Sequence, residues 1–220
     1  MNAVDSTVGK GADDSRERVL RAALEVIAER GFDSTRLSDV AERAGVSPAL
    51  VVYYFKTKDT VLTEAIRLGE QSWYEAVDRR LRGHERADDR LDDLVAMTFF
   101  SDDDSGEPWS LWLDLWAQSV HHREVGDVRH EFDAEWRKTI RDLVVDGQQR
   151  GEFGESEPDD FAVSLSALLD GFAIQIALED SEVNADRAYA LTMRFASEHL
   201  GFKWDGRHKG ASGSKKRGRR

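Results

Sequence analysis

Residues able to do chemistry gather in two regions of this 220-residue chain. In the first, PWSLWLDLWAQ places Trp109, Trp112, Leu113 and Trp116 at helical spacing. Met97, Phe99 and Phe100 precede them, and Trp136 and Ile140 lie further on, in the next block. Asp102, Asp103, Asp104, Glu107, Asp114, Glu131 and Glu135 lie among these aromatics in sequence. Indole faces attract cations through their quadrupole and carboxylates pair with them, so the set suits a cationic amine. The same stripe also reads as helix core, and most of the acids read as solvated surface. Three tryptophans on one stripe are, however, hard to pack without a cavity, and cavities between helices are common ligand sites. Other chemistries find no support. His121 and His122 are adjacent and cannot share a helix face with each other, so together with His130 they make a poor metal set. No HExxH, GxSxG, P-loop or GxGxxG pattern occurs, which leaves no catalytic residue, metal or cofactor to nominate.

The second region is TRLSDVAERAGVSPALVVYYF. Two short helices, about Leu37–Ala44 and Pro48–Phe55, are joined by a turn in which Gly45 supplies positive φ, Val46 plugs inward and Ser47 caps the second helix. Pro48 sits at the first helical position, where its missing N–H costs nothing. Helix, tight turn, helix is the geometry that lays a second helix in the DNA major groove. That second helix is poor in charge. Val52, Tyr53 and Tyr54 leave apolar and phenolic surface suited to thymine methyls and phosphates, whereas Val51 and Phe55 read as core.

The elements that position these regions emerge from periodicity. Val19, Ala22, Ala23, Val26 and Ile27 make the apolar face of a first helix from Ser15 to the cap at Gly31. A fourth helix covers about Asp59–Arg82. Further helical blocks fall at about Asp88–Phe100, Pro108–His121, Val128–Arg150, Phe161–Glu179 and Ala185–Leu200. The expectation is an all-α fold of about nine helices. It divides into a disordered N-terminus (1–14), a helix-turn-helix domain (15–61), a ligand-binding and dimerisation domain (62–202) and a basic flexible tail (203–220). The last two helical blocks carry apolar surface wider than a one-sided surface helix needs. Phe161, Leu165, Leu168, Phe172 and Ile176 on one, and Leu191 and Phe195 on the other, are the expected dimer interface.

Charge is distributed unevenly. Residues 1–62 carry nine basic against ten acidic side chains, residues 63–202 carry 14 against 32, and residues 203–220 carry eight against one. The chain's net charge of −12 therefore says little about a DNA-binding N-terminus. The absence of cysteine excludes a disulfide scaffold and thiolate chemistry and fits a reducing cytosol. The opening residues lack the apolar core of a signal peptide, and no segment looks like a membrane span, so a soluble cytoplasmic protein is expected.

Residues 16–62 resemble the DNA-binding domain of the tetracycline-repressor (TetR) family. The features that carry the likeness are ERGFDST, LSDVAERAGVS and VVYYFKTKDTVL. The resemblance implies that Arg36 and Ser38 touch phosphates or base edges. It implies that Ser47, Pro48, Ala49 and Leu50 open the recognition helix, that Val52 and Tyr53 face the groove, and that Tyr54 and Lys58 hold the backbone. Val52 departs from the family pattern, where Tyr or His is common, which shifts that contact towards a methyl. The segments WLDLWAQSVH, EWRK and ALLDGFAIQIAL resemble, more loosely, the BetI-type subgroup, whose best-known member senses choline. The implied function is a dimeric, ligand-responsive repressor on a pseudo-palindromic operator, released by a small molecule such as a choline-like amine or a polyamine. The alternatives are a helical ligand-binding or interaction protein that no longer binds DNA, and an activator of the same fold.

Overall fold

The computed structural model describes residues 5–100, 113 and 116–206, with side chains from residue 14 onward. Its elements are α1 (Asp5–Arg30), α2 (Leu37–Ala44), α3 (Pro48–Phe55), α4 (Lys58–Leu81), α5 (Ala87–Phe99), α6 (described over residues 116–119), α7 (Arg123–Gln149), α8 (Pro158–Ala177) and α9 (Ala185–Leu200). The expected all-α architecture is what the structure shows, and no strand occurs among the described residues.

Two compact units form, and neither is one continuous stretch of chain. The first comprises Met1–Tyr74 and Glu107–Phe132, the second Glu75–Gly106 and Asp133–Arg220. The expected boundary at residues 61 and 62 falls inside α4, because Val61, Leu62, Ala65 and Ile66 bury themselves with the N-terminal helices. Val125 and Val128 of α7 join the same core. This is why α7 begins at Arg123 rather than near Val128. The first helix starts at Asp5, ten residues ahead of the expected Ser15, in a stretch that contains no proline to stop it.

In the first unit, α2 is pinned to α1 by charge as well as by core. Arg43 reaches Glu25 at 3.0 Å and Glu29 at 2.6 Å, and Arg30 reaches Asp39 at 3.0 Å. The hydrogen bond from Arg43 holds the Glu29 carboxyl below its ordinary value. Arg67 of α4 pairs with Glu131 of α7, and the Tyr74 hydroxyl donates to the Phe132 carbonyl at 3.0 Å.

The second unit packs α5, α8 and α9 around Leu91, Leu94, Val95, Leu165, Leu169, Met193 and Ala196. Phe161 and Leu165, expected at a dimer interface, belong to this core and have almost no surface left to lose to a partner. The tail boundary also moves. Phe202 and Trp204 pack against the core, so packed chain extends past residue 202 at least to Trp204. One expectation fails on composition alone, since α8 is long and apolar enough to cross a membrane. Its Phe161, Leu165, Leu169 and Ala173 are instead buried against protein.

Gly147 sets a tight point in this unit. A β-carbon there would stand 2.3 Å from Phe153 Cδ2 and 2.8 Å from Ala87 Cβ. Gly147→Ala should therefore cost about 1–3 kcal/mol of overpacking, partly offset by alanine's better helix propensity. The expected result is a thermal midpoint several degrees lower by circular dichroism. An unchanged midpoint would show that the Phe153 ring moves aside freely.

Candidate nucleic-acid interface

The recognition element is built by its turn. Gly45 adopts φ 66° and its N–H and that of Val46 return to the Glu42 and Ala41 carbonyls at 3.1 and 3.0 Å, closing α2. The Ser47 hydroxyl then accepts a hydrogen bond from the Leu50 N–H at 3.2 Å, capping α3 with Pro48 at its start. Val51 and Phe55 point into the core, as expected. Their burial fixes which face of α3 looks outward.

That outward face is apolar and aromatic. Val52 is 48% and Tyr53 77% exposed, unusual values for large apolar side chains. Arg36, Ser38, Ser47, Pro48 and Ala49 are exposed as well, and Leu50 is half-buried. These residues lie at the start of α2 and along α3, the two stretches that the helix-turn-helix geometry brings to DNA. Tyr54 and Lys58 are placed differently. Tyr54 is half-buried and packs against the first-unit core, its ring edge-on to Tyr53 at 5.6 Å. Lys58 donates to the Asp33 carbonyl at 2.8 Å and lies 5.7 Å from the Phe32 ring centroid, so it ties α4 to the loop after α1. Lys56, which reads in sequence only as part of a polar break, caps α3 at φ 63° and is exposed. A lysine just past the recognition helix is placed for phosphate contact. Its only sequence signal is its position after the aromatic pair.

The expected effector residues are dispersed over the two units. Trp109 and Trp112, with Asp102, Asp103, Asp104, Glu107 and Asp114, lie outside the residues whose side chains are described. Leu113 and Trp116 belong to the first unit, where the Arg129 guanidinium sits 4.5 Å from the Trp116 ring centroid. Met97, Phe100, Trp136 and Ile140 belong to the second. Ile140 is fully buried core, Met97 is half-buried, and Phe100 and Trp136 are half-buried beside that core.

Periodicity missed a second-unit cluster. The Tyr189 ring lies 5.5 Å from Phe100 and 6.1 Å from Trp204, and its hydroxyl donates to the buried Asp92 carboxylate. Burial and that carboxylate push the Tyr189 hydroxyl well above its ordinary value, so it stays protonated and donating. One residue on, Asp93 is also buried. Burial pushes its carboxyl up, but hydrogen bonds from Arg80 at 3.1 Å and from His84 more than offset this and hold it below its ordinary value. Aromatic faces beside a buried carboxylate are the chemistry that a quaternary or protonated amine selects.

Comparison with known proteins agrees with this layout. Residues 19–65 match the model of bacterial regulatory proteins of the tetR family, and residues 87–201 match that of the BetI-type transcriptional repressor C-terminal region. Residues 202–220 lie outside both. The HTH-type transcriptional regulator BetI of Escherichia coli K12 is 28% identical over 187 residues, covering 84% of this chain and 93% of the relative. A putative transcriptional regulator from Saccharomonospora viridis, solved in complex with choline, superposes with a TM-score of 0.75. It is 29% identical, and the match covers 85% of this chain and 97% of that one. A putative TetR-family regulator from Rhodococcus sp. gives a TM-score of 0.75 at 28% identity over 86% of this chain and 99% of its own. The capped turn, the outward face of α3 and both matched regions lead to one conclusion: this chain is a DNA-binding transcriptional regulator of the TetR family, with a C-terminal region of the BetI repressor type.

Proposed function

We propose that the protein represses transcription as a homodimer on a pseudo-palindromic operator and is released by a quaternary amine, with choline the leading compound. The observation that carries the effector reading is the choline complex of a relative that aligns over 85% of this chain. The Phe100 and Trp204 rings beside Tyr189, whose hydroxyl bonds the Asp92 carboxylate, supply compatible chemistry in the second unit. The effector acts only through its differential affinity for two conformations. Helices α4 and α7 each contribute side chains to both compact units and are continuous elements through which such a difference reaches the DNA-binding helices.

The dimer reading rests on the outer side of α8. Val163 and Leu178 are 56% and 69% exposed, Ala167 is exposed, and Leu168 and Ile174 are half-buried. Gly171 lies on the same side, and a β-carbon there would meet nothing within 4 Å. The chain's own packing therefore does not demand this glycine, whereas a closely approaching partner helix would use it. From α9, Leu191 and Phe195 are half-buried, with Phe195 stacked on the core residue Phe161 at 5.8 Å. Two recognition helices must sit about 34–36 Å apart to read two half-sites, so dimerisation and operator binding are linked.

Calorimetry with choline tests the effector. Choline should bind and weaken the operator complex in gel shift, and Trp204→Leu should lower choline affinity by roughly two- to thirtyfold through loss of an indole face. A flat choline titration would remove the effector assignment while leaving operator binding intact. Binding of spermidine with no response to choline would move the assignment to polyamines.

A further inference from the structure

The loop between α7 and α8 carries more negative charge than the fold uses. Residues 151–160 hold five carboxylates and no lysine or arginine. Three have evident roles. Glu152 accepts a hydrogen bond from the Ala87 N–H at 2.6 Å. Asp159 and Asp160 stand in the first turn of α8, where the helix dipole favours negative charge. Glu155 and Glu157 do neither. Both are exposed and neither makes an ion pair among the described residues. Glu157 occupies the N-cap of α8, yet its side chain makes no capping bond. With Gln148, Phe153, Gly154 and Ser156, these two glutamates line an open depression of about 550 Å³. The depression has a fixed wall, because Gln148 Nε2 donates to the Gly154 and Ser156 carbonyls at 3.1 and 2.9 Å.

The stretch that follows α9 is moored to the same loop. The Gly154 N–H donates to the Leu200 carbonyl at 2.7 Å, and the Phe153 and Phe202 ring centroids are 5.4 Å apart. Residues 207–220 come directly after. They carry seven lysines and arginines and no acid, arranged as a Gly/Ser spacer, GASGS, and then KKRGRR. The nine Cα–Cα steps from Gly206 to Lys215 can span at most about 30 Å, and a Gly/Ser-rich chain of that length averages about 15–18 Å end to end. A tether of that length would hold the basic cluster beside the loop at an effective concentration on the order of millimolar, enough to occupy contacts too weak to matter between separate molecules.

We propose that this depression is the docking site of the chain's own basic segment, residues 215–220, with Glu155 and Glu157 as its ion-pair partners. Docking is multivalent, weak and screened by salt. DNA phosphates compete for the same cations, so a docked tail is withheld from DNA. Non-specific binding depends on phosphate contacts alone and is suppressed most, while operator binding keeps its contacts from α3. The docking itself does not depend on the effector reading.

The absence of native cysteine makes the test direct. A nitroxide on Ser214→Cys should broaden the backbone amide resonances of residues 151–157 at low ionic strength. The broadening should fade at about 0.5 M salt, where screening acts within a few ångströms. It should also vanish in E155Q/E157Q, whose exposed substitutions leave the fold intact. No broadening at low salt, or broadening that survives E155Q/E157Q, overturns the proposal. Mixed dimers of isotope-labelled and spin-labelled chains identify the donor, and broadening confined to them would assign the tail to a second copy and overturn docking within one chain. A functional readout runs in parallel. E155Q/E157Q should raise affinity for non-operator duplex by roughly three- to tenfold in the full chain and leave residues 1–206 unaffected. An equal change in both would reduce the effect to simple surface charge and also overturn the proposal.

Discussion

Tyr53→Ala should weaken operator binding by about tenfold to a hundredfold while leaving the fold untouched. Both halves of this result stem from position. Tyr53 is 77% exposed on the outward face of α3, so its ring supports almost none of the chain's own packing. Surface substitutions of that kind stay within about 0.5 kcal/mol in stability. Arg36→Ala should act differently. It removes a charge at the start of α2, so the dependence of log affinity on log salt should become shallower by about one unit, whereas Tyr53→Ala leaves that slope alone. Fluorescence anisotropy with operator duplex across a salt series reads both effects. Retention of full affinity by Tyr53→Ala would remove α3 from the interface. Tyr54 and Lys58 are poorer probes. Tyr54 packs on the core and Lys58 holds the Asp33 carbonyl, so their loss would mix folding with binding.

Gly171→Arg should convert the proposed dimer to monomer and abolish operator binding, and it should do so without harming the helix that carries it. Arginine is a better helix former than glycine by most of the roughly 0.8–1 kcal/mol that separates glycine from alanine, and a β-carbon at this position enters open space in the single chain. In an interface formed by the outer side of α8, the same side chain would bring an unpaired charge between apolar surfaces. Sedimentation should then show a species of 24.8 kDa in place of one twice that mass, with helical content unchanged. A Gly171→Arg protein that remains dimeric would remove this side of α8 from the interface. Loss of operator binding in a chain that is still dimeric would break the proposed link between assembly and DNA.

Legibility in the sequence varied with the kind of signal. The turn between α2 and α3 was readable because glycine, a cap and proline act locally. The bounds of α9 were readable because the Asn184 side chain caps one end by accepting from the Arg187 N–H, and Gly201 closes the other in the left-handed region. The inward face of α8 was not. Both of its faces are apolar, so periodicity could not say that Phe161 and Leu165 look into the chain while Val163 and Leu178 look out. Buried acids were equally hidden. Asp92 and Asp93 carry no signal of burial in sequence, because the groups that satisfy them, Tyr189, Arg80 and His84, lie on other elements. Trp204 sits in a basic, glycine-bearing stretch that composition assigns to a tail. A lone indole there was the available clue to a packed anchor.

Helices α4 and α7 each lend residues to both compact units, and this makes the DNA-binding part inseparable from the rest. Cutting the chain after residue 61 would strip Leu62, Ala65, Ile66, Val125 and Val128 from the core beneath the recognition helix. The fragment would keep the contact residues and lose the support that orients them. Neither unit is then a transplantable cassette. Moving the reader onto another sensor would require carrying residues 62–66 and 125–128 along with it.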